Sequence, residues 1–371
     1  MILIKSGQPP ATHLPHKTNI NTKSDPLTKT AKTIESTAKD HNIKGQIQEI
    51  HFGPVITTYE FKVEPGTPKS RVKSLENWLA KAIGVPFIQI TKAKDKKNIY
   101  YLEVPNRGSQ PVKFADLVEH PDFQKAGKGA LIFGVDAEEK PVIVRLKEDL
   151  RHLLVVGNNG TEKARLIHTL LYSLMHSKPT FRMLLIDTKM ANFFVYKAHP
   201  HLLAPVVAEV EKAVLWLQWL EAEVQERLQH QAARAKQGTS RVKEKYKLFE
   251  RPVLVCVIQE LADLMVEAGE VTKRAITRIV KKGSSVGVHL IVGTQIPSKS
   301  VIPQALLGDG TSQCVFQVSS RSEAIFLKME GAEKRLGIGD GFLRLAGANR
   351  PQRVFIPDFK YEDLSKGQPK K

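Results

Sequence analysis

The stretch Gly157-Asn158-Asn159-Gly160-Thr161-Glu162-Lys163-Ala164 decides how this chain is read. It follows the apolar run His152-Leu153-Leu154-Val155-Val156 and has the spacing of a phosphate-binding P-loop, G-x-x-x-x-G-K-[ST]. Gly157 and Lys163 stand where the pattern wants them, whereas its second glycine is Glu162 and its final Ser/Thr is Ala164. In a working loop, backbone N–H groups wrap the phosphates, the lysine contacts the terminal ones, and the hydroxyl binds Mg2+. Ala164 has no hydroxyl to offer. Glu162 sets a carboxylate beside the cradle, and its Cβ crowds a backbone that must pass close to the ligand.

Downstream of Arg151 short apolar runs alternate with helical periods. Leu153–Val156, Met183–Ile186, Val253–Ile258, Val288–Val292 and Cys314–Val318 are apolar on both faces and β-branched, as in a buried parallel sheet. Helices are expected over Lys163–His176, Glu211–Ala235, Val271–Lys282 and Ser322–Met329. The succession predicts a right-handed, doubly wound α/β sheet with ligands at the strands' carboxyl ends. On the long second helix Val214, Leu217, Val224 and Leu228 form a core-facing stripe, and Trp216 and Trp219 read as packing residues.

Upstream lies a smaller α+β region. Val55, Thr57, Tyr59, Phe61 and Val63 alternate as in a half-buried strand; Val72, Leu75, Leu79 and Ile83 recur at helical spacing. Phe87–Ile90 and Ile99–Val104 add strands, and Leu131–Val135 with Val142–Val144 a hairpin. We expect a basic disordered tail over 1–30, the small α+β domain over 31–150, the larger α/β domain over 151–357, and a polar basic tail over 358–371. A short helix near Lys32–His41 opens the small domain.

The 371 residues carry a net charge of +18. Such a charge speaks to a polyanionic partner, nucleic acid or an acidic surface. No apolar run is long enough to span a bilayer, and the opening Met1-Ile2-Leu3-Ile4 is too short for a signal-peptide core. The two cysteines, Cys256 and Cys314, lie in strand-like runs and read as core residues of a reducing, cytoplasmic protein.

Further segments line up in order: Leu185-Ile186-Asp187-Thr188-Lys189-Met190, Val257-Ile258-Gln259-Glu260-Leu261-Ala262-Asp263, Gly287-Val288-His289-Leu290-Ile291-Val292-Gly293-Thr294-Gln295-Ile296-Pro297, and Leu336-Gly337-Ile338-Gly339-Asp340-Gly341. With Gly53-Pro54-Val55-Ile56-Thr57 upstream, the set resembles the motor region of the FtsK/SpoIIIE DNA translocases over about residues 35–357. The resemblance implies a RecA-like P-loop NTPase fold preceded by a small α+β domain. It also implies hexameric rings on double-stranded DNA driven by ATP, chiefly in chromosome segregation, and assigns Gly157, Asn158, Asn159, Gly160, Thr161, Glu162, Lys163, Ala164 and Gln259 to nucleotide, and Glu260 and Gln295 to catalysis.

Departures from that pattern point one way. The family's Mg2+-holding Asp is Gln259, leaving Glu260 alone of the acidic pair; Ile296, Ser284 and Gln313 stand where the family has arginines, and another falls in a one-residue deletion near Ala324. ATP is therefore the expected ligand, with Mg2+ poorly supported and no metal site assigned. Lys163 reads as an anion ligand or as a solvated lysine on a relic loop; Glu260 as a vestigial base or as a carboxylate favoured by a helix dipole. His289 reads as a core residue.

Two basic clusters are candidate DNA contacts: Lys236, Arg241, Lys243, Lys245 and Lys247 after the long helix, and Lys273, Arg274, Arg278, Lys281 and Lys282 along one side of the next. A solvated charged face is the alternative for each. Three functions stay open: a DNA-binding ring, alone or mixed with an active relative, with weak or no hydrolysis; an active ATP-dependent translocase in chromosome or plasmid segregation; and a protein-interaction scaffold derived from the motor.

Overall fold

The computed structural model describes residues 3–5, 26–52, 56–85, 87–93, 96–106, 112–136, 138–158, 160–177, 180–236, 251–334 and 339–359. The chain falls into two compact units. One comprises Met1–Val112 with Val135–Lys140 and Lys334–Gly337; the other comprises Lys113–Gly134, Pro141–Glu333 and Ile338–Lys371.

The smaller unit is a five-stranded sheet in the order β1-β2-β3-β5-β4. Its strands are β1 (Leu3–Lys5), β2 (Gly45–Phe52), β3 (Ile56–Val63), β4 (Gln89–Lys92) and β5 (Ile99–Pro105). Helices α1 (Pro26–Asp40) and α2 (Lys69–Ile83) bury Ala31, Ile34 and Ala38, and Val72, Leu75 and Leu79, in one core with Ile50, Phe61 and Leu102. The register of β2 slips between Ile47 and Glu49, and the Ile47 N–H donates instead to Glu35 Oε1 at 2.8 Å. The predicted disordered tail is corrected in two places. Leu3–Lys5 pairs in parallel with Glu49–His51, and α1 starts at Pro26, ahead of the expected Lys32, because Ala31 and Ile34 continue its buried stripe.

The larger unit carries a nine-stranded sheet in the order β7-β6-β14-β13-β12-β8-β11-β10-β9. Its centre is parallel: β8 (Leu153–Val156), β9 (Phe181–Ile186), β10 (Val253–Ile258), β11 (Val288–Thr294) and β12 (Ser312–Val315), with Leu153 level with Ile291 and Ser312. β13 (Asp340–Arg344) and β14 (Gln352–Phe355) extend it antiparallel. β6 (Ala130–Val135) and β7 (Pro141–Arg145) complete it, although the sequence groups them with the smaller domain. Burial explains the difference: Leu131, Phe133, Val142 and Val144 share a core with Leu153 and Leu166. Gly134, at φ +131°, lets β6 lie close to β14; a Cβ there would sit 2.0 Å from Phe355 O.

Two short helices, α3 (Phe114–Glu119) and α4 (Pro121–Ala126), precede β6. α5 (Gly160–His176) follows β8, α6 (Val210–Lys236) precedes β10, α7 (Leu261–Lys282) follows it, and α8 (Arg321–Phe326) follows β12. α7 starts ten residues before the expected Val271, since Glu260 caps it, and it kinks at Ala268 (φ −138°, ψ 41°). Trp219 is a correction: it is 40% exposed and rests edge-on against Trp216, while the core side of α6 is Ala213, Leu217, Leu220 and Val224. The unit also runs past the expected Pro357: Phe114 N donates to Asp358 O at 3.1 Å, and Phe359 packs on Tyr172 and stacks on His168. Among the described residues no helix is long and apolar enough to cross a membrane.

Cys256 and Cys314 are free and buried, and burial pushes the Cys256 thiol up to about 12. His152, just before β8, and His289, in β11, are fully buried; His152 Nδ1 accepts from Leu290 N (3.1 Å), and His289 Nδ1 lies 2.7 Å from Arg151 O. Burial lowers them to about 3 and about 4. Both are neutral in the fold but protonate in the unfolded chain below about pH 6.5. The unfolded state then binds more protons, so stability is full above that pH and falls as pH drops toward 4, by about 1.4 kcal/mol per imidazole per pH unit. Urea denaturation from pH 7 to 4.5 should show this dependence, and a His152→Asn/His289→Asn variant, which keeps an Nδ1-like atom at both sites, should reduce it, the remainder coming from His168, which burial lowers to about 4.

Candidate nucleotide site

The carboxyl ends of β8, β9, β10 and β11 deliver Gly157, Asp187, Gln259 with Glu260, and Gln295 to one side of the sheet. Gly157 N donates to Thr294 O (3.3 Å), and a Cβ on Gly157 would lie 3.0 Å from Phe316 Cβ. Asn158 is tied to the neighbouring strand end, its N to Gln317 O (3.0 Å) and its Nδ2 to Ser319 Oγ (2.8 Å). Gly160 and Thr161 lie in the first turn of α5, and Asn159 lies outside the described residues. Glu162 is half-buried in the same turn.

Lys163 is not a solvated lysine. It is 1% exposed, and its Nζ donates to Glu260 Oε2 at 2.6 Å. Glu260 Oε1 takes the Thr294 hydroxyl at 2.8 Å and the Ala262 N–H at 3.3 Å, and the Gln295 N–H reaches both carboxylate oxygens at 3.1 and 3.0 Å. One carboxylate thus joins α5, the start of α7 and the end of β11. Burial pushes the Lys163 pKa down, against the pull of Glu260. Gly293 makes the approach feasible, since a Cβ there would meet Gln259 O at 2.5 Å and Lys163 Cδ at 3.2 Å.

Beside this pair is a cavity of about 390 Å³. Lys163, Ala164, Gln259, Glu260, Asp263 and Gln295 line it, together with Arg165, His168, Asp187, Lys189, Asn192 and Phe359. Its carboxylates have partners. Asp187 Oδ2 accepts from Asn192 N (2.7 Å) and Phe193 N (3.0 Å), holding the 3-10 turn Phe193–Tyr196; Asp263 accepts the Thr188 hydroxyl (2.6 Å) and pairs with Lys189 (3.4 Å). Gln259 is 5% exposed, and its Oε1 has no hydrogen-bond partner. A hard dication wants several oxygen ligands, carboxylates above all. Here it would meet a methyl group at Ala164, a neutral amide at Gln259 and carboxylates already engaged, so the donor set does not fit Mg2+.

His168 Nδ1 lies 2.8 Å from Tyr196 OH. The sequence reading assigns no role to Arg165, His168, Asp187 or Phe359. Asp187 lies inside the strand-end motif Leu185–Met190, whereas no motif marks Arg165. At the positions where the resemblance implies arginines, Ile296 is 51% exposed, Ser284 is half-buried in a 3-10 turn, and Gln313 is fully buried with both amide atoms unpartnered; Ala324, near the implied deletion, is buried.

Of the basic clusters, Lys273, Arg274, Arg278, Lys281 and Lys282 are exposed on α7, with Arg278 paired to Glu221. Lys236 ends α6, and Arg241, Lys243, Lys245 and Lys247 lie outside the described residues. In the smaller unit Glu49, His51 and Glu60 bring possible ligand atoms within 4.8 Å of one another, but both Glu60 oxygens already accept from Lys96 Nζ at 3.0 and 2.8 Å.

The model of the FtsK/SpoIIIE family matches residues 115–299, and that of the FtsK alpha domain matches residues 9–106. The chain belongs to the FtsK/SpoIIIE family. The DNA translocase FtsK of Listeria monocytogenes is 33% identical over 92% of this chain and 47% of its own length; that of Agrobacterium fabrum is 31% identical over 91% and 42%. The chain thus spans less than half of these FtsK relatives. Among solved structures, the pCW3 conjugation coupling protein TcpA with ATPγS superposes with a TM-score of 0.60 at 15% identity, covering 90% of this chain and 96% of that one. The cytoplasmic domain of the Thermomonospora curvata type VII secretion ATPase EccC gives 0.54 at 18% identity, over 67% of this chain and 32% of that one. These likenesses agree with the RecA-like fold of an FtsK-type motor region.

In this FtsK-family chain Lys163 has a structural duty, and its removal should be costly. Breaking one side of a buried pair leaves an uncompensated charge, worth about 3–5 kcal/mol. Lys163→Met should lower unfolding free energy by about that amount in urea, and Lys163→Met/Glu260→Gln should recover most of it. Equal stability of Lys163→Met and the parent chain would show that the pair does not hold the site together.

Proposed function

We propose that this chain is a cytoplasmic, double-stranded-DNA-binding, ring-forming member of the FtsK/SpoIIIE family that hydrolyses ATP weakly or not at all, alone or in a mixed ring with an active relative. The observation that carries the reading is the closed Lys163–Glu260 pair beside Ala164 and Gln259. Phosphoryl transfer depends on metal and positioned charge around the transferred group. In this site the lysine is spent on the glutamate, and the glutamate, held by further donors besides, is not poised to orient water. The surviving cavity favours binding of ATP over its turnover.

DNA binding rests on the family and on charge. The net charge is +18, and the exposed basic side of α7 supplies phosphate contacts that do not depend on sequence. Lys236, Arg241, Lys243, Lys245 and Lys247 would add to them. Affinity for a fluorescent duplex should fall linearly with log salt, with a slope near −0.9 per phosphate contacted. Lys273→Glu/Arg274→Glu/Lys281→Glu should weaken binding and flatten that slope. Failure to bind duplex at low salt would overturn the DNA reading. Robust, Mg2+-dependent, DNA-stimulated ATPase in the purified protein would overturn the weak-hydrolysis reading.

A further inference from the structure

Arg165 follows Ala164 directly, in the turn of α5 from which the P-loop hydroxyl is missing. Its side chain lines the same cavity as Lys163 and Gln259 and is 18% exposed. Its Nε and Nη2 are buried and find no acceptor in the protein; the carboxylates that act on it are Glu162 and Asp358, the Oδ1 of Asp358 lying 4.0 Å from Nη1. Gly339, at φ +83°, admits the guanidinium, since a Cβ there would stand 2.6 Å from Nη2. A guanidinium cannot shed its charge to escape burial, and leaving buried donors of a charged group unfilled is costly. Its planar fork matches a phosphate with two parallel hydrogen bonds. In the same cavity Gln259 Oε1 is a neutral acceptor without a partner, and of the other cations lining it Lys163 pairs with Glu260 and Lys189 with Asp263, which leaves the Arg165 donors to meet an incoming anion.

We propose that Arg165 is a phosphate ligand, and that a nucleoside polyphosphate entering this cavity is held without a metal ion, the guanidinium supplying the positive charge that Mg2+ supplies in an intact P-loop. The proposal rests on the cavity being a nucleotide site, as argued above. The side chain is stored against Gly339 with its donors unfilled and turns about its own torsions to meet the phosphate. The arrangement neutralises the bound anion without creating a metal-activated water, so it separates binding from hydrolysis.

The test is calorimetric titration of the full chain with ATP and with inorganic tripolyphosphate, in excess EDTA and in Mg2+. Parent, Arg165→Gln and Arg165→Lys are compared, and duplex binding is measured on each. The parent should bind ATP in EDTA within about threefold of its affinity in Mg2+, since hydrogen bonds to charged groups carry the binding. Arg165→Gln should lose about tenfold or more, and Arg165→Lys should retain part. Equal losses for ATP and tripolyphosphate would place the contact on phosphate alone; a larger loss for ATP would place it where the nucleoside also binds. Binding by the parent only in Mg2+, no binding under either condition, or parent-like affinity of Arg165→Gln would overturn the proposal. The EDTA comparison needs no variant and stands even if Arg165→Gln fails to fold. If duplex binding persists while these outcomes fail, only the Arg165 proposal falls; loss of duplex binding by the parent removes the function proposed above.

Discussion

The larger unit is organised around one carboxylate. Glu260 gathers Lys163 from α5, Ala262 from α7 and Thr294 with Gln295 from β11, and each of these elements would otherwise end in an unfilled charge or donor. A lysine buried to this depth would be costly alone, and a buried carboxylate equally so; each is tolerated because the other is there. The rest of the site conforms to that contact. Gly293 has no side chain because the Lys163 stem and the Gln259 carbonyl occupy the space, and α7 takes its first turn from Glu260 as its cap. The two charges that motif spacing marks, Lys163 and Glu260, neutralise each other.

Much of the scaffold was legible because strand signals in a buried parallel sheet are dense. Leu153–Val156 and Val253–Ile258 are strands over the same residues that their apolar runs marked. The helices were legible from periodicity but not at their ends. α7 begins at a cap whose partner is the Ala262 N–H, and a capping carboxylate looks no different in sequence from a catalytic one. The strands β6 and β7 were recognised, but their sheet was not, since membership of a sheet is a long-range pairing that local alternation does not encode.

Within the site, Lys163, Ala164, Gln259 and Glu260 were legible from motif spacing, and the structure brings all four to one cavity. The Lys163–Glu260 contact was not, because ninety-seven positions of chain separate the partners. Arg165 was invisible for another reason. A basic residue in a helix is ordinarily a solvated one, and the space that takes this guanidinium is left by Gly339, far away in sequence.

The neutral amide at Gln259 has a consequence for the charge that this cavity tolerates. With Lys163 committed to Glu260, an aspartate at position 259 would set a second carboxylate beside the first with one ammonium between them and no hydroxyl at Ala164 to help hold a counter-cation. An aspartate at 259 would therefore be a liability unless a hydroxyl stood at position 164 with it. Positions 164 and 259 are thus coupled through the Lys163–Glu260 pair: what one of them tolerates depends on what stands at the other.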